Sequence, residues 1–408
     1  MAKADIVFYF PYRVVGGVSV LFLRLAALLR DDFNVYLMDY EDGYMSRNIP
    51  EGCSFIKYDN PNLIPENSTI IFQSTPIWRI PFINNFPKSC KVLFWNLHPR
   101  NFQSNYIRME TNKKWLLPLN LFSFFRRQKL RLMVEFLMGK KALVYMDGEN
   151  YEKTRKDLSL STSLPIYLPI LTNSPMSCGS SNIDTANIKC LWVGRLDNFK
   201  IEILLFLLKA LNDLRNDNIT FTIIGSGLEA YRVEALSHDL KFLNVNLLGD
   251  VLLENLDETI INYDVIFAMG TSALDAAKLY KPVICLDFSY SVVSDGYQFH
   301  MIYDNEHYNV GEEIAAKHVN QETNIAVIMN NIFNGYGEES LASYNYWKKN
   351  HSIDVVKNSL IQLLSDGECT LNELFMKQFH RPDVVTKLLN IMIYHFKKPV
   401  NETEINQI

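Results

Sequence analysis

The twenty residues from Phe267 to Leu286, FAMGTSALDAAKLYKPVICL, constrain the fold more than any other part of the chain. They place an apolar strand, a glycine turn, a helix start and a second apolar strand in immediate succession. Such a unit requires a parallel sheet with helices on its faces. At the carboxyl end of the first strand, the leading amides of the helix have no intrahelical acceptor, and phosphate binds there. Gly270 permits the close turn, Thr271 or Ser272 suits the helix cap, and the amides of Ala273 and Leu274 add further donors. A second signal lies upstream in CLWVGRLDNFK, Cys190 to Lys200. There another apolar strand ends in glycine and is followed by Arg195 and Lys200. Arginine grips two oxygens with a planar fork and lysine supplies a compact charge, so the two segments together suit a doubly charged ligand.

A chain of 408 residues with 48% apolar content is too long for one ordinary core and suits two domains. Ala4 to Phe10 reads as a first strand, Gly16 and Gly17 as its turn, and Val18 to Leu29 as an apolar helix. Thr172 to Asn187 lacks any packing period and concentrates turn formers, which marks a linker. The strand and helix pattern then restarts. Domains are therefore expected over residues 1–172 and 188–350, with terminal helices over 351–408, among them Val355 to Leu364 and Val384 to Phe396. Neither opening turn supplies G-x-G-x-x-G, and the GSG of Gly225 to Gly227 is too short to indicate a dinucleotide site. The six cysteines show no C-x-x-C pair or zinc spacing, and no apolar run is long enough to span a bilayer. These features favour a reduced, cytoplasmic setting.

Charge is unevenly divided. Residues 1–170 carry 22 Lys and Arg against 15 Asp and Glu, a balance of +7, while residues 171–408 carry 18 against 30, a balance of -12. The basic half includes Lys113 to Lys141, where eight cations face one acid, Glu135, among leucines and phenylalanines. This segment reads either as a solvated basic helix packed on its own domain or as a peripheral contact with an anionic membrane. No nucleic-acid module accompanies it.

The VGRL turn followed by Lys200, and GTSALDAAKLYKPVI in that order after it, resemble the second domain of the retaining glycosyltransferases of family 4. The resemblance is strongest at 190–200 and 265–286 and weak in the first domain. It implies the GT-B architecture: α/β, two Rossmann-like parallel-sheet domains facing across a cleft. It also implies a UDP- or GDP-sugar donor, with Arg195 and Lys200 stabilising the charge that develops on the leaving diphosphate. No cofactor is expected, and the absence of a D-x-D pair points to metal-independent transfer. Gly16 and Gly17 would let the first-domain backbone approach the diphosphate. His98, in KVLFWNLHPRN, would hydrogen bond the transferred sugar, although the spacing alone favours a structural histidine. Asp275 takes the position of a family glutamate that binds ribose hydroxyls; read by itself, it fits a capping role at the same helix.

One departure is larger. Eight residues before Asp275, where the family places a first glutamate, stands Phe267. The expected acceptor is a glycan, or a polyprenyl-linked glycan, in the synthesis of a surface polysaccharide such as lipopolysaccharide. A nucleotide-sugar epimerase and an inactive binding protein of glycan assembly remain open beside the hexosyltransferase-like reading.

Overall fold

The computed structural model describes residues 3–102, 117–161, 164–175, 182–294, 296–314 and 324–382. The chain forms two compact units, one of residues 1–146, 150–168 and 360–408, the other of residues 147–149 and 169–359. Helix Val384 to Phe396 and the segment 103–116, which opens the basic stretch, lie outside the described residues.

In the first unit the order is β1 (Asp5–Tyr9), α1 (Gly17–Leu29), β2 (Asn34–Asp39), α2 (Tyr44–Arg47), β3 (Ser54–Lys57), β4 (Thr69–Gln73), β5 (Lys91–Asn96), α3 (Leu117–Gly139), β6 (Leu143–Tyr145) and α4 (Gly148–Leu158). The six strands run parallel in the order β3-β2-β1-β4-β5-β6. Strands buried on both faces read as nearly continuous apolar runs, which is what IVFY, TIIF and KVLFW display. Rings from three of these strands meet in the core: Phe72 stacks on Phe94 at 5.1 Å, and Tyr9 lies 5.2 Å from Phe72.

The second unit repeats the plan. Its elements are β7 (Ile188–Val193), α5 (Asn198–Asp213), β8 (Ile219–Ile224), α6 (Ala230–Ser237), β9 (Asn244–Gly249), α7 (Leu256–Ile260), β10 (Val265–Ala268), α8 (Thr271–Ala277), β11 (Val283–Cys285), β12 (His300–Met301), α9 (Ile325–Asn334) and α10 (Tyr336–Asn350). The sheet order is β12-β11-β10-β7-β8-β9, parallel except for β12. Both sheets thus reverse direction at their first strand, between β1 and β4 and between β7 and β10. In open α/β sheets such a reversal leaves a crevice at the strands' carboxyl ends, where ligands bind.

Helix α11 (Ile353–Asp366) carries the chain from the second unit back into the first, and α12 (Leu371–Met376) follows. There Cys369, Leu371, Leu374 and Phe379 join the first unit's core. Backbone bonds from Val92 N to Cys369 O and from Leu371 N to Cys90 O stitch this segment beside β5.

The described part of the basic segment packs on its own unit. Leu130, Met133, Val134 and Leu137 of α3 are buried. Arg127 donates to Lys156 O and Ser159 Oγ, Lys129 to Gln378 O and Arg381 O, Arg131 pairs with Glu135 at 2.9 Å, and Lys140 pairs with Glu373 at 2.7 Å. No helix among the described residues is long and apolar enough to cross a membrane.

Candidate functional site

Strand β7 delivers the VGRL turn to the carboxyl edge of the second sheet. The turn is fixed from beside it by GSG, which packs directly on it: a Cβ on Gly225 would stand 2.1 Å from Gly194 O, and one on Gly227 would stand 2.3 Å from Leu196 O. Leu196 N donates to Ser226 O, completing the contact. The short glycine motif therefore has a packing role that its sequence length concealed. Backbone contacts across neighbouring strands leave no local signature.

Arg195 and Lys200 come together at this turn. Helix α5 begins after Asp197, so Lys200 falls in its first turn and Arg195 just ahead of it. Arg195 is 73% exposed and pairs with Asp197 at 3.1 Å. Lys200 is half-buried over Gly194, whose Cβ position lies 3.5 Å from its ammonium. Loss of hydration, then the Arg195 charge, lower the Lys200 pKa to about 8, with Asp197 opposing them. The positive end of a helix disfavours cations, and here two cations share it with a single carboxylate. An anion at this point would relieve that imbalance.

The adjacent crevice wall is the turn from β10 to α8. Gly270 is the cap of α8, at φ 64° and ψ -141°, a conformation open essentially to glycine alone. Neither Thr271 nor Ser272 caps the helix, because both already lie inside it and no side-chain cap bond forms. The supply of free amides is also smaller than the sequence suggests. Gly270 N donates to Val310 O, and the amides of Ala273 and Leu274 both reach Gly270 O. Thr271 and Ser272 remain as the amides at the head of the helix with no intrahelical acceptor.

Asp275 does not close a capping box. Its carboxylate, 6% exposed, accepts from Lys278 Nζ at 2.9 Å, and the same ammonium pairs with Asp257 at 3.0 Å. Lys278 is itself buried, so the triad ties α8 to α7. A lysine three residues after an aspartate was visible in the sequence, but the second carboxylate comes from another helix. Phe267, where the family has an acid, packs into the core against Phe221 at 5.6 Å.

In the first unit, Gly16 caps α1 in an extended conformation and Gly17 is its first residue. Neither needs glycine for its backbone angles. A Cβ on Gly16 would meet the Tyr12 ring at 3.3 Å, whereas one on Gly17 would meet nothing within 4 Å. The fold thus gives no reason for glycine at 17. His98 follows β5 in a loop pinned by Asn101, whose Oδ1 accepts from the amides of Leu97 and His98. The residue is exposed, yet its ring loses enough hydration to lower its pKa, with Arg100 adding to the effect. Arg100 N donates to His98 Nδ1 at 3.0 Å, which leaves the neutral ring with its proton on Nε2. That tautomer presents a donor to whatever faces Nε2. Asp147 is buried in the β6–α4 turn. Among the described residues no group of three or more His, Cys, Asp or Glu is placed to hold a metal ion.

No family model and no curated protein matches the chain. Solved structures do match its fold. A glycosyltransferase from Rickettsia africae superposes with a TM-score of 0.60 at 12% identity, covering 89% of this chain and 98% of that one. The lipopolysaccharide outer core galactosyltransferase WaaB gives 0.55 at 10% identity, covering 88% and 99%. HepE of Anabaena, solved with UDP, gives 0.53 at 11% identity, covering 89% and 99%; it was also solved with UDP-glucose. The chain is similar to these proteins in fold, and that fold is GT-B.

Proposed function

We propose that the protein is a glycosyltransferase that moves one sugar from a nucleotide diphosphate donor to a glycan acceptor. The observation that carries this reading is the pair of cations, Arg195 and Lys200, held at the positive end of α5 beside the sheet's reversal point. HepE, a protein of the same fold, was solved with UDP and with UDP-glucose, which supports a nucleotide diphosphate as the ligand. As the bond between sugar and diphosphate breaks, charge grows on the leaving phosphate. The two cations and the amides of Thr271 and Ser272 then stabilise the transition state more than the bound donor.

In this reading the chemistry needs no carboxylate nucleophile. The leaving phosphate takes the acceptor proton on the face where the new bond forms, so configuration is retained, and protein cations neutralise the diphosphate without a metal. His98 donates from Nε2 to a sugar hydroxyl. Asp275 reaches the ribose only as a member of its ion triad with Lys278 and Asp257. A polyprenyl-linked acceptor at a cytoplasmic membrane surface is the finer form of the proposal. It is supported by the basic, aromatic stretch that opens at Lys113 and by the likeness in fold to WaaB, a lipopolysaccharide outer core galactosyltransferase.

Titration calorimetry with UDP and with GDP tests the core of the proposal. Binding of one of them in the micromolar range, weakened in both Arg195→Ala and Lys200→Ala, is the expected result. Equal binding by wild type and both variants removes these residues from the site. A second reading, donor binding without transfer, is favoured by Phe267 in place of an acid and by the engagement of Asp275 with Lys278. It predicts the same binding with no sugar released.

A further inference from the structure

Three adjacent strands of the first sheet lead into tyrosines at their carboxyl ends. Tyr9 closes β1, Tyr40 follows β2 and Tyr58 follows β3. Because β3, β2 and β1 are neighbours, these residues reach one edge of the sheet, the edge at which parallel strands collect ligands. The Tyr40 and Tyr58 rings meet edge to face at 4.3 Å, and Phe82, in the loop after β4, adds a third ring 5.9 Å from Tyr58. The Arg13 guanidinium lies over the Tyr40 ring at 4.1 Å, so the uncovered ring of the set is that of Phe82.

Packing leaves two features of this cluster unexplained. The first is its hydroxyls. Among the described residues none of the three phenols makes a hydrogen bond, and that of Tyr9 is buried as well as unpaired. A buried hydroxyl without a partner costs stability. Burial, then the neighbouring Tyr40 and Tyr58 phenols, raise the Tyr9 pKa; burial and then Tyr58 raise that of Tyr40, with Arg13 opposing. Both therefore keep their protons and stay donors at neutral pH. The second feature is Phe82, whose backbone stands at φ 58° and ψ 12°, a left-handed conformation that a bulky side chain rarely adopts. Its ring is nonetheless 45% exposed, so the strain keeps an aromatic surface in solvent and not in the core.

We propose that this edge of the first unit binds a neutral sugar ring. The C–H face of a pyranose lies on the Phe82 ring, and its hydroxyls exchange hydrogen bonds with the Tyr40 and Tyr58 phenols, with the buried Tyr9 phenol as an unpaired donor behind them. A phenol both donates and accepts, which matches a sugar hydroxyl. The charges around the rings select a neutral ligand. Arg13 pairs with Asp42 at 3.0 Å, and Lys57 pairs with Glu41 at 3.2 Å and Asp59 at 3.8 Å, so each of these cations is already matched by an acid and none is spare for a phosphate. The site lies wholly within the first unit and stands whether or not the chain transfers sugar.

Saturation-transfer NMR on the full chain, with the methyl glycosides of glucose, galactose, mannose and N-acetylglucosamine as probes, tests the proposal. At least one should bind with a Kd of about 1–10 mM, the range of a single ring held by a few weak contacts. Saturating UDP and GDP should leave that signal in place, which separates the site from one that takes a nucleotide. Tyr40→Phe combined with Tyr58→Phe keeps both rings and removes both hydroxyls, and Phe82→Gly removes the exposed ring while relieving its backbone. Each variant should weaken glycoside binding by about tenfold. The tyrosine double variant, which changes no ring, carries the test if Phe82→Gly fails to fold. Binding of none of the glycosides at concentrations up to about 50 mM, loss of the signal on adding nucleotide, or equal binding by wild type and the double variant overturns the proposal. None of these results bears on Arg195 and Lys200, whose role is decided by nucleotide binding alone.

Discussion

Lys200 offers the sharpest test at the scale of single residues. With a pKa lowered to about 8, its ammonium is about half deprotonated at pH 8, and a bound diphosphate favours the charged form. Nucleoside diphosphate binding at pH 8 should therefore take up as much as about half a proton, seen as a difference in calorimetric enthalpy between HEPES and Tris buffers. Affinity should weaken from pH 7 to pH 9, and both effects should vanish in Lys200→Met. A second test concerns Gly17, where a Cβ meets nothing. Gly17→Ala places a better helix former at the first residue of α1, so the melting temperature should hold or rise, by up to about 1 kcal/mol of stability. Sugar transfer should nevertheless fall. Equal activity would leave that glycine without a role. At this scale the sequence disclosed the Arg195 and Lys200 cluster, because Arg195 stands just ahead of the helix whose first turn holds Lys200. It did not disclose Asp257 as the second carboxylate on Lys278, because that contact joins two helices separated by a strand, and a lone aspartate in a sequence carries no mark of its neighbours.

Among elements, the two sheets were legible because buried parallel strands are near-continuous apolar runs, and the glycine turns after β1, β7 and β10 punctuate them. Helix starts were less so. Asn198, Phe199 and Lys200 carry no apolar period, so α5 begins three residues before the apolar run that betrays it. The contact between GSG and VGRL lay beyond pattern reading altogether. Gly225→Ala should strain a φ of +128° and drive a methyl group into Gly194 O, destabilising the second unit by on the order of 2–3 kcal/mol. Chemical denaturation followed by Trp192 fluorescence would measure it, and a loss below about 0.5 kcal/mol would mean the two turns are not in contact. Helix α3 divides the membrane question by position. Arg127, Lys129 and Arg131 bond within their own unit, so glutamine at these sites should lower stability rather than vesicle binding. Lys113→Gln with Lys114→Gln should instead reduce co-sedimentation with anionic vesicles at low salt and have less effect at high salt. Equal sedimentation at every salt concentration would leave a lipid-linked acceptor without physical support.

For the molecule as a whole, acid stability is expected to follow His351. This ring is fully buried at the end of α10, with Nδ1 hydrogen bonded to Ile170 O at 2.8 Å and Nε2 without a partner among the described residues, and burial lowers its pKa to about 4. The fold holds the neutral ring. Its contribution is therefore complete above about pH 6.5 and is lost as pH falls toward 4, by about 3 kcal/mol across that window. His351→Phe should start from a lower plateau and show a flatter acid limb in thermal melts; an unchanged limb would assign the pH dependence to other groups. The path of the chain has another consequence, for synthesis on the ribosome. Residues 169–359 of the second unit emerge as one stretch, whereas Cys90, Val92 and the core around them stay uncovered until Cys369 to Phe379 have been made. The amino-terminal half of the chain is translated first and completed last, so a nascent chain halted before residue 360 would present a finished second unit and an open first one, the state that a chaperone would meet.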